Sequence, residues 1–522
     1  MIGDQSNQPN QCSIFHLMKR YLLAHDVGTS GNKATLFTVD GELVNSITYP
    51  YETTFFNYNW AEQNPDDWWK AVCHSTQELV RGIDVDEIAA VSFSGHMMGC
   101  LCVDKNGTPL RNCIIYCDQR AQKEAQAILS QISQQDFYRI VGHRANESYS
   151  LEKLMWVKNN EPEVYKQTYK MLHAKDYIIF KLTGVMVSDF SDASGTNAFD
   201  LNTFTWSDKI IDIAGVDRSM FPELKKSTDV AGTITAQAAH ATGLKAGTPV
   251  VVGGGDGSCA GIGVGCIRTG LAYNYLGSSS WIALMVDKPV YDEKMRVMNW
   301  AHTIPYALQP SGTMQTAGGS YNWLKNEICT QEVKEAEARG ISPYELINET
   351  IAQSVPGAHG ILFLPYLLGE RTPRWNPNAK GAFIGLNLSH KRADVLRAVM
   401  EGITYNLQLI LSIFRQRMPI DTITVIGGGA KGAIWRQMMA DIYDARILKP
   451  NYLEEATSMG AAIIGGVGVG AFPDFNVVDR FIKIESECLP NRENQRQYQK
   501  MMPIFDKCYY ALEEIYQDLA KV

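Results

Sequence analysis

An aspartate followed by glycine and hydroxyl residues, close to the start of the chain, forms a pattern that suits phosphate groups. Asp26 ends a short apolar run, the turn Gly28-Thr29-Ser30-Gly31 follows, and the next run contains Lys33. We interpret the stretch as a β-hairpin whose turn binds an anion, because glycine permits close approach and successive N–H groups in such a turn form an anion-binding concavity. Thr29 and Ser30 add hydroxyl donors, Lys33 adds positive charge, and Asp26 can hold a metal ion through water. The alternative is an ordinary hairpin turn rich in glycine and serine.

A second candidate is a carboxylate that follows three glycines. Residues 250–252 are all valine and predict a buried parallel strand, which ends at Gly253-Gly254-Gly255-Asp256. Ligands bind at the carboxyl ends of such strands, and phosphoryl transfer to an alcohol needs a carboxylate that accepts the hydroxyl proton. Asp256 is therefore a candidate general base. The alternative is an aspartate that caps a helix beginning at Gly257.

A second hairpin of the same kind is predicted in the later half of the chain. Residues 270–276 and 281–286 are strand-like and enclose Gly277-Ser278-Ser279-Ser280. Two such turns, one in each half, could clamp a polyphosphate from both sides, which makes Gly277 and Ser278 candidate phosphate ligands. The P-loop spacing is absent, and the dinucleotide fingerprint is excluded because the first glycine turn leads into a strand rather than a helix.

Composition narrows the class of protein. The 522 residues are 45% hydrophobic and 20% charged, as in ordinary globular proteins, and the net charge of -8 argues against a nucleic-acid surface. The 11 cysteines form no CxxC pair and are interpreted as reduced thiols of a cytoplasmic protein. No apolar run reaches the roughly 18 residues of a membrane span. Residues 1–19 are predicted to be a disordered or non-native lead, with Met18 as a candidate native start.

Strand-like runs alternate with helical patterns along the chain, which favours an α/β fold. Residues 88–93 predict a buried strand, residues 120–134 one helix and residues 162–172 another. The pattern restarts after the second glycine run, so we expect two related domains, 20–266 and 267–522, joined by a short hinge. The tail, residues 491–522, predicts a packed amphipathic helix.

Several motifs resemble those of the FGGY carbohydrate kinases, within the actin-like ATPase superfamily. Residues 60–69 resemble the family's early aromatic and acidic segment, residues 148–160 its first signature and residues 381–402 its second. With the two hairpins, these motifs cover the chain from Tyr21 onward. The resemblance implies an α/β fold of two actin-like (ribonuclease H-like) domains with a cleft for ATP and sugar between them.

The resemblance also assigns roles on the nucleotide side. It implies Asp256 as the catalytic base, magnesium as the metal at Asp26, and an adenosine motif at residues 427–432, where small residues let the base and ribose lie on the backbone. Residues 316–323 resemble a further nucleotide-side segment. The alternatives are a strand–helix packing turn and a helix N-terminus that needs small residues. The candidate ATP ligands are Gly28, Thr29, Ser30, Lys33, Gly277, Ser278, Gly318, Asn322, Gly428, Gly429 and Ala430.

The sugar side departs from the family pattern in one loop. Where xylulokinases carry Gly-Gln-Met-His-Gly, this chain has His96 in place of the glutamine, keeps Met97 and has Met98 in place of the histidine; the Arg-Glu pair of glycerol kinases is absent. Residues 116–120 resemble Trp-Asn-Asp-Gly-Arg and retain Asp118 and Arg120. The candidate sugar ligands are His96, Met97, Asp118, Arg120 and Asp256. The alternatives are a structural histidine and a local Asp–Arg ion pair.

Residues 363–381 resemble the xylulokinase branch of the family. The function predicted from the resemblance is ATP-dependent phosphorylation of a sugar, D-xylulose first, with another ketose or polyol such as ribulose as the alternative. A nucleotide-binding sensor or chaperone-like ATPase on the same fold is the alternative from another class. We expect a small-molecule sugar as partner, no nucleic acid and no membrane, and leave a homodimer open.

Overall fold

The computed structural model describes residues 19–522, which fold into two compact units. Unit 1 contains the described residues up to Ile267 together with Trp300–Ala307 and Glu455–Phe481. Unit 2 contains Arg268–Asn299, Leu308–Glu454 and Ile482–Val522. The sequence predicted one boundary, after residue 266, and did not anticipate that two later segments return to unit 1. The predicted N-terminal lead lies outside the described residues, apart from Lys19.

Strands and helices alternate along the described residues. The strands are, in chain order, β1 (Tyr21–Val27), β2 (Gly31–Thr38), β3 (Leu43–Pro50), β4 (Thr54–Phe56), β5 (Trp60–Gln63), β6 (Ile88–Gly95), β7 (Leu101–Val103), β8 (Cys113–Ile114), β9 (Lys170–Leu172), β10 (Val187–Asp189), β11 (Phe199–Asp200), β12 (Thr205–Trp206), β13 (Glu223–Lys225), β14 (Val230–Thr233), β15 (Pro249–Val251), β16 (Gly254–Gly255), β17 (Ala272–Leu276), β18 (Ser280–Leu284), β19 (Met298–Ala301), β20 (Leu308–Met314), β21 (Leu362–Leu364), β22 (Ala382–Ile384), β23 (Thr422–Ile426), β24 (Arg446–Pro450) and β25 (Ile484–Cys488). The α-helices are α1 (Pro65–Leu79), α2 (Gln122–Leu129), α3 (Gln134–Val141), α4 (Ser150–Asn160), α5 (Pro162–Gln167), α6 (Ala174–Thr183), α7 (Phe190–Ser194), α8 (Asp208–Ala214), α9 (Ala236–Thr242), α10 (Asp256–Gly263), α11 (Gly318–Trp323), α12 (Thr330–Arg339), α13 (Pro343–Ile351), α14 (Arg392–Arg415), α15 (Ala433–Tyr443), α16 (Ala456–Gly468), α17 (Val478–Phe481) and α18 (Arg492–Leu519).

The main sheet of unit 1 has the strand order β3–β2–β1–β6–β15–β14, and β16 also pairs with β6. β1 and β2 form an antiparallel hairpin, whereas β15 and β16 run parallel to β6, which is parallel to β1. Every residue of β6 is buried, as expected for a central strand covered on both faces. The core on one face includes Leu23, Trp68, Val91 and Ile178. The carboxyl ends of β1, β6 and β16 therefore meet at one edge.

Close glycine contacts hold the returning segment 455–481 in unit 1. A Cβ placed on Gly263 of α10 would lie 1.8 Å from the carbonyl oxygen of Ala456, and one on Gly460 of α16 would lie 1.8 Å from that of Cys259. Neither position has room for a side chain, so α10 and α16 cross backbone to backbone. This crossing fixes the helix that starts at the candidate base.

Unit 2 repeats the central arrangement of unit 1. Its sheet runs in the order β20–β18–β17–β23–β24–β25, with an antiparallel hairpin β17–β18 next to the parallel strand β23. The predicted α/β class with two similarly built halves is confirmed. The predicted tail helix is also found, as α18, which buries Tyr498, Phe505 and Tyr509. Among residues 19–522, none of the helices combines the length and the apolar character that a membrane span requires.

Two predicted helices were wrong in extent. In the predicted helix 120–134, α2 covers only Gln122–Leu129, and α3 begins at Gln134, where the Ser133 side chain accepts a hydrogen bond from Asp136 N. In the predicted helix 162–172, α5 ends at Gln167 and Lys170–Leu172 forms strand β9 against β7. The secondary structure of a run of three residues depends on the strand with which it pairs, and local periodicity does not reveal that strand.

Candidate active site

The two carboxylates that the sequence singled out lie at the same edge of the unit 1 sheet. Asp26 on β1 is opposite Ser94 on β6, and Gly254 on β16 is opposite the same serine. Two strand spacings of about 4.8 Å therefore separate β1 from β16. Asp256 follows β16 directly as the first residue of α10. The carboxyl ends of parallel strands are where ligands bind in open α/β sheets.

Asp256 has the protonation behaviour of a base for use near neutral pH. Burial raises its pKa, and the negative charge of Asp26 raises it further, to about 7. Its Oδ1 accepts a hydrogen bond from Gly257 N at 2.7 Å, which acts in the opposite direction. A general base is most effective when its pKa lies close to the working pH.

Among the described residues, the one contact that favours the capping alternative is the hydrogen bond that Asp256 Oδ1 accepts from Gly257 N at 2.7 Å. The N-cap of α10 is Gly255, and no side chain caps this helix. Asp256 is already inside the first turn, where a negative charge is favourable at the positive end of the helix dipole. Its carboxylate therefore does not serve as the helix cap.

Asp26 is a half-buried carboxylate with a cationic neighbour. Burial raises its pKa, while Ser94 and the positive charge of Lys33 lower it. Lys33 is opposite Asp26 in the β1–β2 hairpin, and its Nζ lies 3.9 Å from Glu455 Oε1. The pair thus brings one negative and one positive group to the base of the first turn.

The first turn has its carbonyl groups occupied and N–H groups left over. Gln63 Nε2 donates to Thr29 O at 2.7 Å, Tyr51 N donates to Ser30 O at 3.2 Å, and the Tyr51 hydroxyl donates to Gly28 O. Within residues 19–522, the N–H groups of Thr29 and Ser30 make no hydrogen bond. The turn therefore offers adjacent donors, as an anion site requires.

The second turn, in unit 2, shows the same balance of donors and acceptors. Gly318 N donates to Gly277 O at 2.9 Å, and Ser278 O accepts from Ala317 N and Gly319 N, both at 2.9 Å. In the part of the chain that the structure describes, Ser278 N has no hydrogen-bond acceptor. A Cβ on Gly318 would lie 2.4 Å from Gly277 O, so this glycine is needed for packing on the turn.

Asn322, the other candidate in this segment, is exposed on α11. Its Oδ1 accepts a hydrogen bond from the Tyr344 hydroxyl at 3.4 Å. Gly318 and Asn322 of α11 thus have different surroundings. Only Gly318 packs so closely on the second turn that a side chain has no room.

The glycine run after β23 divides into packed and open positions. A Cβ on Gly427 would lie 2.8 Å from Leu276 O, and one on Gly429 would lie 2.3 Å from Leu276 Cδ2. Both glycines are explained by strand–helix packing, the alternative stated from sequence. A Cβ on Gly428 would meet nothing within 4 Å, and Ala430 is fully buried. Gly428 is therefore the position where a flat ligand has room.

His96 lies in the interior of unit 1. Its ring meets Trp68 edge to face with centroids 5.6 Å apart, and neither ring nitrogen has a hydrogen-bond partner among the described residues. Burial lowers its pKa to about 4, so the ring is neutral. Its backbone N donates to Val27 O at 3.0 Å and ties the loop to β1. The backbone contact is that of a structural residue, whereas a buried ring with two unpartnered nitrogens keeps hydrogen-bonding capacity for a ligand.

Met97 lies against the backbone that leads to Asp256. A Cβ on Gly255 would be 2.5 Å from Met97 Sδ, and one on Gly195 would be 3.1 Å from Met97 Cε. The next residue, Met98, has a φ of 65° in the left-handed region, and its carbonyl accepts a hydrogen bond from Lys153 Nζ at 2.8 Å. The structure thus brings Met97 beside the backbone that precedes the candidate base, and His96 follows Gly95, which is opposite Gly255.

Asp118 and Arg120 form a buried ion pair that holds β5. Asp118 Oδ2 accepts from Arg120 Nη2 at 2.7 Å and from Ala61 N at 2.6 Å. Arg120 Nη1 lies 2.8 Å from Glu62 Oε1, and its guanidinium lies 3.9 Å from the centre of the Trp60 ring. The charged groups of Asp118, Arg120 and Glu62 thus bind one another, as expected from the ion-pair alternative. Since the pair is buried, removing one partner leaves an uncompensated charge.

A buried charge cluster that the sequence analysis missed lies in the same unit. Lys175 Nζ is 2.8 Å from Asp176 Oδ1, 3.2 Å from Asp189 Oδ1 and 3.2 Å from Asp192 Oδ2, and His173 Nδ1 is 3.0 Å from Asp192 Oδ1. One ammonium group faces three carboxylates and compensates only part of their charge, and His173, Asp176 and Asp192 each offer a ligand atom within 4.8 Å of the others. A lysine and an aspartate side by side in the apolar α6 were the available signal.

The returning segment 300–307 was also missed. The Trp300 ring lies 4.1 Å from that of His143 and 6.1 Å from that of Tyr149, between centroids. Thr303 N donates to Ser258 Oγ on α10 at 2.8 Å. The segment therefore lies beside the helix that begins at Asp256. Its distance along the chain gave no local signal.

Two family models match this chain in consecutive segments. Residues 21–263 match the FGGY family of carbohydrate kinases, N-terminal domain, and residues 272–469 match its C-terminal domain. The first match contains the hairpin β1–β2, and the second contains the hairpin β17–β18.

Full-length relatives carry two different names. The chain is 32% identical over 505 residues to a gluconokinase of Bacillus licheniformis, covering 96% of this chain and 98% of that protein. It is also 32% identical over 517 residues to a xylulose kinase of Staphylococcus epidermidis, covering 97% of this chain and 100% of that protein. The solved structure of a ligand-bound xylulose kinase from Lactobacillus acidophilus superimposes with a TM-score of 0.89 at 28% identity, over 96% of this chain and 99% of that one.

Proposed function

The chain belongs to the FGGY family of carbohydrate kinases, and we propose that it transfers the γ-phosphoryl group of ATP to a hydroxyl group of D-xylulose. The observation that carries this proposal is Asp256, whose pKa is raised to about 7 at the carboxyl edge of the unit 1 sheet. In the same unit, the first turn presents two N–H groups without acceptors. A base and an anion site are the two parts that phosphoryl transfer to an alcohol requires.

In the proposed reaction, Asp256 accepts the proton of the attacking hydroxyl group. The hydroxyl oxygen forms a bond to the γ-phosphorus as the bond from that phosphorus to the bridging oxygen of ADP breaks. The products are a sugar phosphate and ADP, and the proton remains on Asp256 until it passes to solvent. Most of the remaining catalysis is positioning and charge neutralisation.

Asp26 is the residue that we propose for the metal. Burial raises the pKa of Asp26, and the negative charge of Asp26 raises the pKa of Asp256. A hydrated cation beside Asp26 would stabilise its charged form, so this carboxylate fits a metal ion. Magnesium, when bound, would neutralise charge on the phosphates. Lys33, opposite Asp26, would add a second positive charge.

Each unit, taken by itself, has groups that suit part of a nucleotide. In unit 1, the N–H groups of Thr29 and Ser30 would bind phosphate oxygens. Unit 2 by itself offers Ser278 N to an anion and open backbone at Gly428 to a flat group such as adenosine. Gly427 and Gly429 would contribute through packing rather than through contact.

D-Xylulose is the first acceptor because Met97 of the xylulokinase loop is retained and lies against Gly255, next to the base. Gluconate is the second candidate. It is favoured by the loss of the loop histidine, replaced by Met98, and by the gluconokinase that matches this chain at the same identity as the xylulose kinase. Asp118 and Arg120 are expected to hold β5 rather than to bind the sugar.

The experiment is an acceptor panel with magnesium and ATP, read by ADP release. D-Xylulose, D-ribulose, gluconate and glycerol are each compared with no acceptor, for the wild type and for Asp256→Asn. Turnover with D-xylulose supports the proposal, and turnover with gluconate alone keeps the chemistry but changes the substrate. ATP hydrolysis that no acceptor stimulates would instead indicate a nucleotide-binding ATPase.

A further inference from the structure

A buried hydroxyl group holds the backbone directly before Asp256. Ser191 Oγ accepts a hydrogen bond from Gly255 N at 2.9 Å. The same hydroxyl donates its only hydrogen to Asp189 Oδ2, so its direction is fixed and its lone pair faces the glycine. Gly255 is the N-cap of α10, and Asp256 is the first residue of that helix.

Asp189 is itself fixed by charge and by further donors. Lys175 Nζ lies 3.2 Å from its Oδ1, while Ser227 Oγ donates at 2.8 Å and Ser191 N at 2.9 Å to its Oδ2. The side chains of Lys175 and Asp189 are fully buried. A buried network in which each group has a partner is rigid, so the position of the Ser191 hydroxyl is strongly determined.

The surrounding packing leaves Gly255 little freedom. A Cβ on the preceding Gly254 would lie 2.2 Å from Thr303 Cγ2 and 2.7 Å from Ser191 Oγ. On Gly255 itself, the corresponding position is filled by Met97. The hydrogen bond from Gly255 to Ser191 therefore belongs to a tight enclosure of the two residues that precede the candidate base.

We infer that Ser191 is a positioning residue for phosphoryl transfer, which holds the Gly255 backbone so that the Asp256 carboxylate is fixed for proton removal. The inference rests on the proposed role of Asp256. A carboxylate that drifts by a fraction of an ångström loses rate without losing substrate affinity, because the effect falls on orientation in the transition state. Ser191 does not touch the reacting atoms in this scheme.

The test compares Ser191→Ala with Ser227→Ala, which also removes a hydroxyl donor from Asp189 Oδ2 but does not touch Gly255. We expect Ser191→Ala to lower kcat about tenfold, with the KM values for ATP and sugar changed by less than twofold. Ser227→Ala should keep kcat within about twofold. Hydrogen exchange of the Gly255 amide should become faster in Ser191→Ala and stay unchanged in Ser227→Ala.

Unchanged kcat and unchanged exchange in Ser191→Ala would overturn the inference, as would an equal loss of kcat in both variants. A rise in KM with kcat intact would also count against it, since that pattern reports substrate binding. If the wild type has no kinase activity with any acceptor, the proposed function fails together with the inference. A fully active wild type with an unaffected Ser191→Ala variant overturns the inference alone.

Discussion

The hairpin of unit 1 and the hairpin of unit 2 share a backbone pattern and differ in the chemistry they carry. Two residues before the turn glycine, unit 1 has Asp26 opposite Lys33, whereas unit 2 has Tyr275 opposite Trp281. The aromatic rings stack with centroids 4.1 Å apart. One fold element therefore supplies charges in unit 1 and an apolar support in unit 2, while both turns keep free N–H groups.

The two turns are also held in different ways. In unit 1, the side chains of Gln63 and Tyr51 bind the carbonyl groups of Thr29 and Gly28, and that of Ser30 is bound by a backbone N–H group, from Tyr51. In unit 2, backbone N–H groups do so, and Gly318 is required for their approach. Substitution of Gln63 or Tyr51 should thus disturb the first turn, and substitution of Gly318 should disturb the second.

Asp256→Asn should give the largest effect on activity, because it removes the proposed base from the unit that carries the charges. A positioned general base contributes on the order of 10²–10⁴-fold, so we expect kcat to fall by about 10³-fold. ATP binding, measured by calorimetry, should persist. A variant with more than a tenth of wild-type kcat would contradict the role of Asp256.

The same variant should be more stable than the wild type above neutral pH. The folded protein raises the pKa of Asp256 from 3.8 to about 7 and so binds its proton more tightly than the unfolded chain does. Wild-type stability therefore falls as pH rises between these values. The difference in Tm between Asp256→Asn and wild type should be larger at pH 8 than at pH 4. An equal difference at both pH values would argue against a raised pKa.

Asp26→Asn and Tyr275→Phe test the difference between the hairpins at matching positions. We expect Asp26→Asn to lower kcat/KM by about 10²-fold through loss of metal binding, with partial recovery at high magnesium. Tyr275→Phe keeps the ring stack with Trp281 and should stay within about twofold. Similar losses in the two variants would show that the hairpins do not differ in this way.

Gly318→Ala and Gly428→Ala separate packing from ligand contact in unit 2. The first Cβ would lie 2.4 Å from Gly277 O, so the variant should lose about 1–3 kcal/mol of unfolding free energy. The second Cβ meets nothing within 4 Å, so stability should be unchanged while KM for ATP rises several-fold. Denaturant unfolding and ATP titration measure the two effects. A Gly428→Ala variant with unchanged KM would remove this glycine from the nucleotide site.

The smallest expected effect is a shift in pH dependence. Because Asp256 must be deprotonated to act, kcat/KM should rise with pH up to about 7 and level off above it. Asp26→Asn removes a negative charge that raises the pKa of Asp256, so the midpoint of its residual activity should move to lower pH. A midpoint that moves upward or stays constant would contradict this electrostatic link.

Local patterns explain why much of the site was predictable. The β1–β2 hairpin, its glycine turn and the glycine run before Asp256 are each contained in about ten consecutive residues, and strand–turn chemistry acts over that range. The resemblance of motifs to the FGGY family added the order of the domains. Both the family and the α/β fold were confirmed.

Long-range contacts explain what the sequence did not reveal. Ser191 meets Gly255 across 64 positions, and Ala61 meets Asp118 across 57. The segments 300–307 and 455–481 join unit 1 because Thr303 and Gly460 find partners on α10. Nothing in the neighbouring residues marks such pairs, so their roles emerged only from the fold.

The central claim is that unit 1 carries a base that makes this chain a sugar kinase. The most direct test follows transfer of the γ-phosphoryl group of labelled ATP to D-xylulose, for the wild type and Asp256→Asn side by side. We expect labelled sugar phosphate from the wild type and at least about a hundredfold less from the variant, with ATP still bound by both. Equal labelling by the two proteins, or ATP consumption by the wild type without any labelled sugar, would contradict the claim.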